Sequence, residues 1–387
     1  MKKLMMVCTH PQQYTGYSKV VFNLITSLVK LYPNIMFIVY GFQKHDKSHR
    51  TIEAKNLVLY DAAKAEGVPN GFGVSCIGDI VKIANPDYIW VYNDAYVVSN
   101  FLNEIIKHKF SETKLAVYID QVYPHTKAHY VNLINNHVNH VFCFTESWEQ
   151  EIKSQGLKLQ TSVLHHGISV KKMEKMEARN QINLPKDAFL ILNLNRNQPR
   201  KRWDLCLMSF VEFMKTKPEK QVFLVIGTAA EGCWNLREMF IDICKREGIQ
   251  FGYDPLVFVK DPQSLSDDAI TTLYNATDMG INTCDGEGYG MCNIEHACTG
   301  RPQVVSAVGG LKDLLKNVKG HHLIEPSMHY YVDTTRDAIG GRASLVNPKD
   351  VATAIEEVYR ETEDPQEPKV SSWDDMATHL IESLNLG

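Results

Sequence analysis

The 387-residue chain has no apolar run of about 18 residues, so no segment reads as a membrane-spanning helix. Its nine cysteines (8, 76, 143, 206, 233, 244, 284, 292 and 298) are odd in number and include no Cys-x-x-Cys spacing. That excludes a disulfide framework and a Cys-based zinc site, and most of these thiols, set in apolar runs, read as reduced core residues. Neither sign of charge is in excess: 41 Lys plus Arg stand against 45 Asp plus Glu, a net charge of −4. This balance argues against a generic nucleic-acid or anionic-membrane binder, and anionic ligands must be caught by a few placed groups. The first strand–helix turn, Thr9 to Ser18, holds one glycine, Gly16, and lacks the Gly-x-Gly-x-x-Gly fingerprint, which disfavours NAD chemistry. The apolar run Met1 to Cys8 is too short for a signal-peptide core and reads as a first buried strand; the expected location is cytoplasmic.

What is present is a globular composition, 44% apolar and 22% charged, arranged in two series of strand and helix patterns. Leu4–Cys8, Ile35–Tyr40, Tyr88–Tyr92, Leu115–Ile119 and Val141–Phe144 are short continuous apolar runs. Between the first two, apolar residues at 20, 21, 24, 25 and 28 form the stripe of an amphipathic helix. The charged stretch 169–186, with Lys171, Lys172, Glu174, Lys175, Glu177, Arg179 and Lys186, is expected to be a linker. A second series follows with Phe189–Leu194, Val222–Ile226, Leu256–Val259, Met279–Ile281 and Gln303–Val305. Ser372 with Asp375 opens a final amphipathic helix carrying Trp373, Met376, Leu380 and Leu384, which must dock on another element. The expectation is an α/β chain with two Rossmann-like, parallel-sheet domains, 1–168 and 187–370, with 371–387 joining the first.

Chemistry concentrates in the second half. Asp285-Gly286-Glu287-Gly288-Tyr289-Gly290-Met291 follows a strand and precedes a helix. Its three glycines let backbone approach a ligand, and the helix start offers N–H groups to an anion. Glu287 and Glu295, seven residues between them, suit the vicinal hydroxyls of a ribose or a sugar, or in a rival reading the acid and nucleophile of a glycosidase. Asn195-Arg196-Asn197-Gln198-Pro199-Arg200-Lys201-Arg202, at the carboxyl end of a strand, places cations where a diphosphate would sit.

Arg196 with Lys201 five residues on, Leu273–Asp278 before a strand, Glu287-Gly288-Tyr289-Gly290, Glu295, Gly300-Arg301-Pro302-Gln303-Val304-Val305 and Val308-Gly309-Gly310 resemble the retaining glycosyltransferases of family four, of GT-B fold. Ser372-Trp373 continues the resemblance, which covers essentially the whole chain, although the N-terminal half matches by pattern only. The resemblance implies sugar transfer from a nucleotide donor to a glycan or glycoconjugate hydroxyl with retained anomeric configuration. It also implies donor binding in the second domain, acceptor binding in the first, and a C-terminal helix that crosses back. Carried over by position, Arg196 and Lys201 hold the diphosphate, Glu295 the ribose diol and Glu287 a hydroxyl of the transferred sugar. The N–H groups of Tyr289, Gly290, Met291, Cys292 and Asn293, with Gly288 before them, face phosphate and sugar, and Gly16 admits the pyrophosphate from the first half. No cofactor and no metal are implied, and the Asp-x-Asp pattern of the other major transferase fold occurs nowhere in the chain.

Two departures stand out. Where the family often has a histidine after the strand Leu115–Ile119, this chain has Asp120, with His125 five residues later; Asp120 is favoured because it ends the strand. The stretch 316–341 is longer than usual and carries His321, His322, His329, Tyr330 and Tyr331, expected as a mobile or partner-binding insertion. Asp261, following the strand Val257–Val259 where the family places the base, pairs better with guanine than with uracil. That favours GDP-mannose as donor. An epimerase of the same fold and a non-catalytic nucleotide-sugar-binding subunit are the alternatives. Peripheral membrane contact, the acceptor and the oligomeric state stay open.

Overall fold

The computed structural model describes all residues except 46, 47, 49, 183, 334–338 and 362. The chain forms two compact units: Met1–Ser169 with Asp333–Gly341 and Val370–Gly387, and Val170–Val332 with Arg342–Lys369.

The first unit holds a parallel sheet of β1 (Lys2–Thr9), β2 (Ile35–Phe42), β3 (Leu57–Asp61), β4 (Tyr88–Asp94), β5 (Lys114–Asp120), β6 (His140–Cys143) and β7 (Thr161–Val163). Its order is β3-β2-β1-β4-β5-β6-β7, so the direction of winding reverses between β1 and β4. The helices are α1 (Gly16–Leu31), α2 (Ala62–Glu66), α3 (Ile77–Ala84), α4 (Ala95–His108), α5 (Ala128–His137) and α6 (Glu146–Ser154). Leu4 to Cys8 of β1 are fully buried because helices cover both sheet faces, and the α1 stripe Val20, Val21, Leu24, Ile25 and Leu28 is buried with them. Thr15 and Ser18 cap α1 reciprocally, satisfying N–H groups that the first turn leaves open.

The second unit repeats the plan with β8 (Phe189–Asn193), β9 (Val222–Ile226), β10 (Leu256–Phe258), β11 (Met279–Asn282), β12 (Gln303–Ser306) and β13 (His322–Ile324). Its order, β10-β9-β8-β11-β12-β13, reverses between β8 and β11, and its neighbouring strands pair in parallel. Strands β14 (Met328–Val332) and β15 (Gly341–Leu345) pair in a separate two-stranded sheet. They lie in and just beyond the long stretch 316–341, of which 334–338 fall outside the described residues. The helices are α7 (Lys175–Ile182), α8 (Trp203–Met214), α9 (Leu236–Glu247), α10 (Asp267–Ala276), α11 (Met291–Ala297), α12 (Gly309–Leu315) and α13 (Pro348–Arg360).

The charged stretch expected as a linker is built into the second unit from Val170 on. The reason is Asp278. Arg179, 2% exposed, donates to its carboxylate at 2.6 Å and to the carbonyls of Ala276 and Ala188, and Lys175 pairs with the same aspartate at 2.9 Å. The terminal helix α14 (Trp373–Ser383) belongs to the first unit and packs on α1, capped by Ser372 and Asp375. Ile168 N–H donates to Ser371 O at 2.9 Å, and Gly167 lies so close to Trp373 that a side chain there would collide with it. Among the described residues no helix is long and apolar enough to cross a membrane.

Candidate functional site

In a doubly wound sheet, ligands bind outside the carboxyl ends of the strands where the order reverses. In the second unit that place lies beyond Asn193 and Asn282, and the two loops there are stitched together. The loop after β8 closes in a 3-10 turn, Pro199–Lys201, and Arg202 follows in left-handed backbone with φ of 47°. Its carbonyls accept from the loop after β11: Asp285 N–H to Arg200 O at 3.0 Å, and the Thr283 hydroxyl to Arg202 O at 2.9 Å. Asn197 ties the same loop to the segment after β9, its N–H on Thr228 Oγ1 at 2.9 Å and its amide on Trp234 O at 2.8 Å.

Residues 281–290 are all buried, an unusual environment for a loop containing Asp285 and Glu287. Glu287 is accommodated by two cations. The Lys201 ammonium donates to Oε2, and Arg200 Nη1 donates to Oε1 at 3.3 Å and to Gly286 O at 2.8 Å. Burial alone pushes the Glu287 carboxyl up, but Lys201 and Arg200 outweigh it and bring it down to about 2. Glu287 is thus a fixed carboxylate at neutral pH, able to accept hydrogen bonds from hydroxyl groups.

Two glycines shape the loop. Gly290 precedes α11 with φ of 82°, and Gly310 packs on it with its N–H donating to Gly288 O at 3.1 Å. A Cβ at Gly310 would stand 2.5 Å from Gly288 O. On α11, Glu295 is 2% exposed and accepts from the Tyr274 hydroxyl at 3.0 Å. Tyr289 is buried, while Met291 and Cys292 are half-buried. Asn293 N–H is taken by Gly290 O at 3.0 Å, so this one amide of the expected series closes the helix start; its side chain bridges Asn282 and Gln303. Asp261 is exposed at the end of β10 in left-handed backbone.

The structure therefore gathers Lys201, Glu287, Gly288, Tyr289, Gly290, Met291, Cys292, Asn293 and Glu295 around the loop after β11. Arg196 is exposed, and its carbonyl accepts from Trp203 Nε1 at 3.2 Å. The cation beside Lys201 on Glu287 is Arg200, which sequence reasoning quoted within the basic run but did not single out. The only local signal is Pro199, whose fixed φ starts the tight turn that carries Arg200 and Lys201.

In the first unit, Gly16 begins α1 beyond β1, and the next residue, Tyr17, donates its hydroxyl to Asp120 Oδ2 at 2.5 Å. Gly16 and Asp120 thus share one place at the carboxyl ends of β1 and β5. Burial, then Asp120 and Asp94, raise the Tyr17 hydroxyl, which stays protonated. His125 is exposed, with its N–H donating to Glu151 Oε1 at 2.9 Å. Beneath lies an aromatic cluster of Tyr92, Tyr118, Phe144 and His166, in which the Tyr118 hydroxyl and His166 Nδ1 are 2.8 Å apart. Tyr17 and His166 had no sequence signal beyond their types.

Two Rossmann-like units of this topology, with a glycine-rich carboxylate loop at the second switch point, define a GT-B-type fold. The chain belongs to the GT4-conflict family, described as family 4 glycosyltransferase in conflict systems, whose family model matches residues 144–378, more than half of the chain. The D-inositol 3-phosphate glycosyltransferase 2 of Catenulispora acidiphila is 31% identical over 144 residues, 36% of this chain and 32% of that protein. An uncharacterized glycosyltransferase of Methanocaldococcus jannaschii is 25% identical over 212 residues, 54% of this chain and 47% of that one. The chain thus spans a third to a half of the length of these curated relatives. Among solved structures, sucrose-phosphate synthase from Thermosynechococcus elongatus superposes with a TM-score of 0.69 at 14% identity, over 100% of this chain and 98% of that one. HepE of Anabaena, solved with UDP and glucose, gives 0.65 at 12% identity over 100% of both chains. At such identities the likeness is one of fold.

Proposed function

We propose that this chain is a retaining, metal-independent glycosyltransferase that moves a hexose from a nucleoside diphosphate sugar to a hydroxyl of a glycan or other glycoconjugate. The observation that carries the reading is the buried Lys201–Glu287 pair, with half-buried Arg200 on the same carboxylate, at the switch point of the second unit. In the reaction the bond from sugar C1 to the diphosphate breaks. The acceptor oxygen bonds to C1 on the same face, and its proton leaves with the diphosphate. Lys201 and Arg200, with Arg196 at the rim, oppose the charge that builds on the departing diphosphate, the kind of electrostatic term that usually dominates. Glu287 accepts hydroxyls of the hexose, Glu295 the ribose diol, and the N–H groups around Met291 and Cys292 meet phosphate. The first unit takes the acceptor, with Gly16 and Asp120 at its switch point and Asp120 orienting a hydroxyl.

Asp261 supports guanine, hence GDP-mannose, as donor. A UDP-hexose is the second reading, favoured by the Anabaena neighbour solved with UDP and glucose. Nine free thiols suit a reducing, cytoplasmic setting. Calorimetric titration of GDP, UDP, ADP and NAD in a chelator, then of the matching sugars, tests all of this. Binding of GDP or UDP followed by acceptor-dependent transfer with retained anomeric configuration supports the reading and selects the donor. Isomerised donor without acceptor shows an epimerase, and binding without turnover shows a non-catalytic subunit. NAD binding alone overturns the reading.

A further inference from the structure

The β14–β15 ribbon touches the glycine-rich loop at Asp285, and this contact deepens the transferase reading, on which it rests. Asp285, 1% exposed, is held on three sides. Its N–H donates to Arg200 O at 3.0 Å, its carbonyl accepts from Ser344 N–H of β15 at 2.9 Å, and its carboxylate accepts from the Tyr330 hydroxyl of β14 at 2.5 Å. Glu287 is two residues further, and the guanidinium of Arg200 grips Gly286 O and Glu287 in turn. His329 Nδ1 and the Ser344 hydroxyl, 2.9 Å apart, tie the two ribbon strands together where they meet the loop.

We propose that the ribbon selects the transferred hexose: Tyr330 is a positioning residue that acts through Asp285 to set the direction of the Glu287 carboxylate. A loop with glycine at 286, 288 and 290 has little conformational preference of its own, so its shape is set by what binds it. A buried carboxylate that loses a hydrogen-bond donor moves toward another or toward water, and the backbone follows. Glu287 then meets the sugar hydroxyls at a different angle. A site built to hydrogen-bond one hydroxyl arrangement rejects another strongly only while its polar groups stay in place. Glu295, by contrast, is fixed by Tyr274 on α10 and does not depend on this contact. The sugar half of the site is therefore tunable from the ribbon while the nucleoside half is not.

The test compares the full-length chain with Tyr330→Phe by hydrogen exchange without nucleotide, by GDP and UDP affinity, and by transfer from epimeric donors. Exchange of amides 286–290 should accelerate about tenfold, the scale of one lost hydrogen bond to a charged acceptor. The preference between epimeric hexoses should narrow by a similar factor of about ten, with nucleoside diphosphate affinity unchanged. Asp285→Asn, which still accepts from Tyr330, should keep more of the discrimination than Asp285→Ala. Unchanged exchange overturns the mechanical link whatever the parent chain transfers. Faster exchange with undiminished sugar discrimination overturns the assignment to the hexose. A parent chain that binds no nucleoside diphosphate overturns the transferase reading and the hexose assignment with it, whereas the link is decided by exchange alone.

Discussion

The Lys201 ammonium and the Glu287 carboxylate meet as an ion pair across 86 positions of sequence, each side chain 10% exposed. Desolvating two such groups costs several kcal/mol each, so the pair adds little net stability, but removing one partner strands the other. Lys201→Ala should lower unfolding free energy by about 3 kcal/mol, the lower end for a broken buried pair, because Arg200 stays on the carboxylate. Lys201→Met with Glu287→Met should cost less than the two single changes added, read from urea midpoints. In the reaction, Lys201→Ala should reduce turnover far more than donor affinity. Equal turnover in mutant and parent removes Lys201 from the leaving-group role.

Arg200 and Arg196 separate by the same measurements. Arg200 donates to Glu287 and Gly286 O, whereas the Arg196 side chain is exposed. Arg200→Ala should destabilise the fold by about 1–3 kcal/mol, the cost of leaving buried acceptors short of a donor. Arg196→Ala should stay within about 0.5 kcal/mol of the parent, as exposed substitutions do. Both should weaken nucleoside diphosphate binding. A mutant at 196 that binds nucleotide like the parent would transfer the carried-over role to Arg200.

The central strands were legible because burial on both faces writes a continuous apolar run, as in Leu4–Cys8 and Val222–Ile226. The edge strands β3, β7 and β13 were not: apart from Ile324 their side chains are half-buried or exposed, and Val58 and Leu59 are exposed. The candidate loop was legible as three glycines and a glutamate between a strand and a helix. Which cation joins Lys201 was not, since four basic residues in seven have no period, and the 3-10 turn with left-handed Arg202 decides it. The pairs Tyr17–Asp120 and Asp285–Tyr330 span 103 and 45 positions, and nothing local in the sequence links their members.

Buried histidines set the acid response, three of them most strongly. Burial, the largest cause in each, pulls His10 to about 4 and His166 and His296 to about 3, from an ordinary value of 6.5. Between pH 6.5 and 4 the unfolded chain binds these protons and the native state does not, so stability falls as pH falls. Each histidine adds a slope of about 1.4 kcal/mol per pH unit in that window. Glu287, depressed from 4.5 to about 2, has the same sign and extends the loss below pH 4.5. Denaturant midpoints measured from pH 7 to 4 should decline steadily, and His166→Phe should flatten the curve. A midpoint constant over that range would mean that the histidines titrate normally in the native state.

Gly310 tests whether the loop conformation is set by close backbone packing. A methyl group there would lie 2.5 Å from Gly288 O and 2.7 Å from Tyr289 Cα, both backbone atoms that cannot swing aside. At Gly252, exposed and with nothing within 4 Å of an added Cβ, the same change meets open space. Gly252→Ala should therefore stay within about 0.5 kcal/mol of the parent. Gly310→Ala should cost about 1–3 kcal/mol, the range for overpacking. The displacement falls on Gly288 and Tyr289, one residue from Glu287, so nucleotide-sugar affinity should fall together with stability. If Gly310→Ala lowers the melting temperature but leaves donor affinity intact, α12 supports the fold without shaping the loop. Glu287 would then owe its placement to Lys201, Arg200 and the ribbon alone.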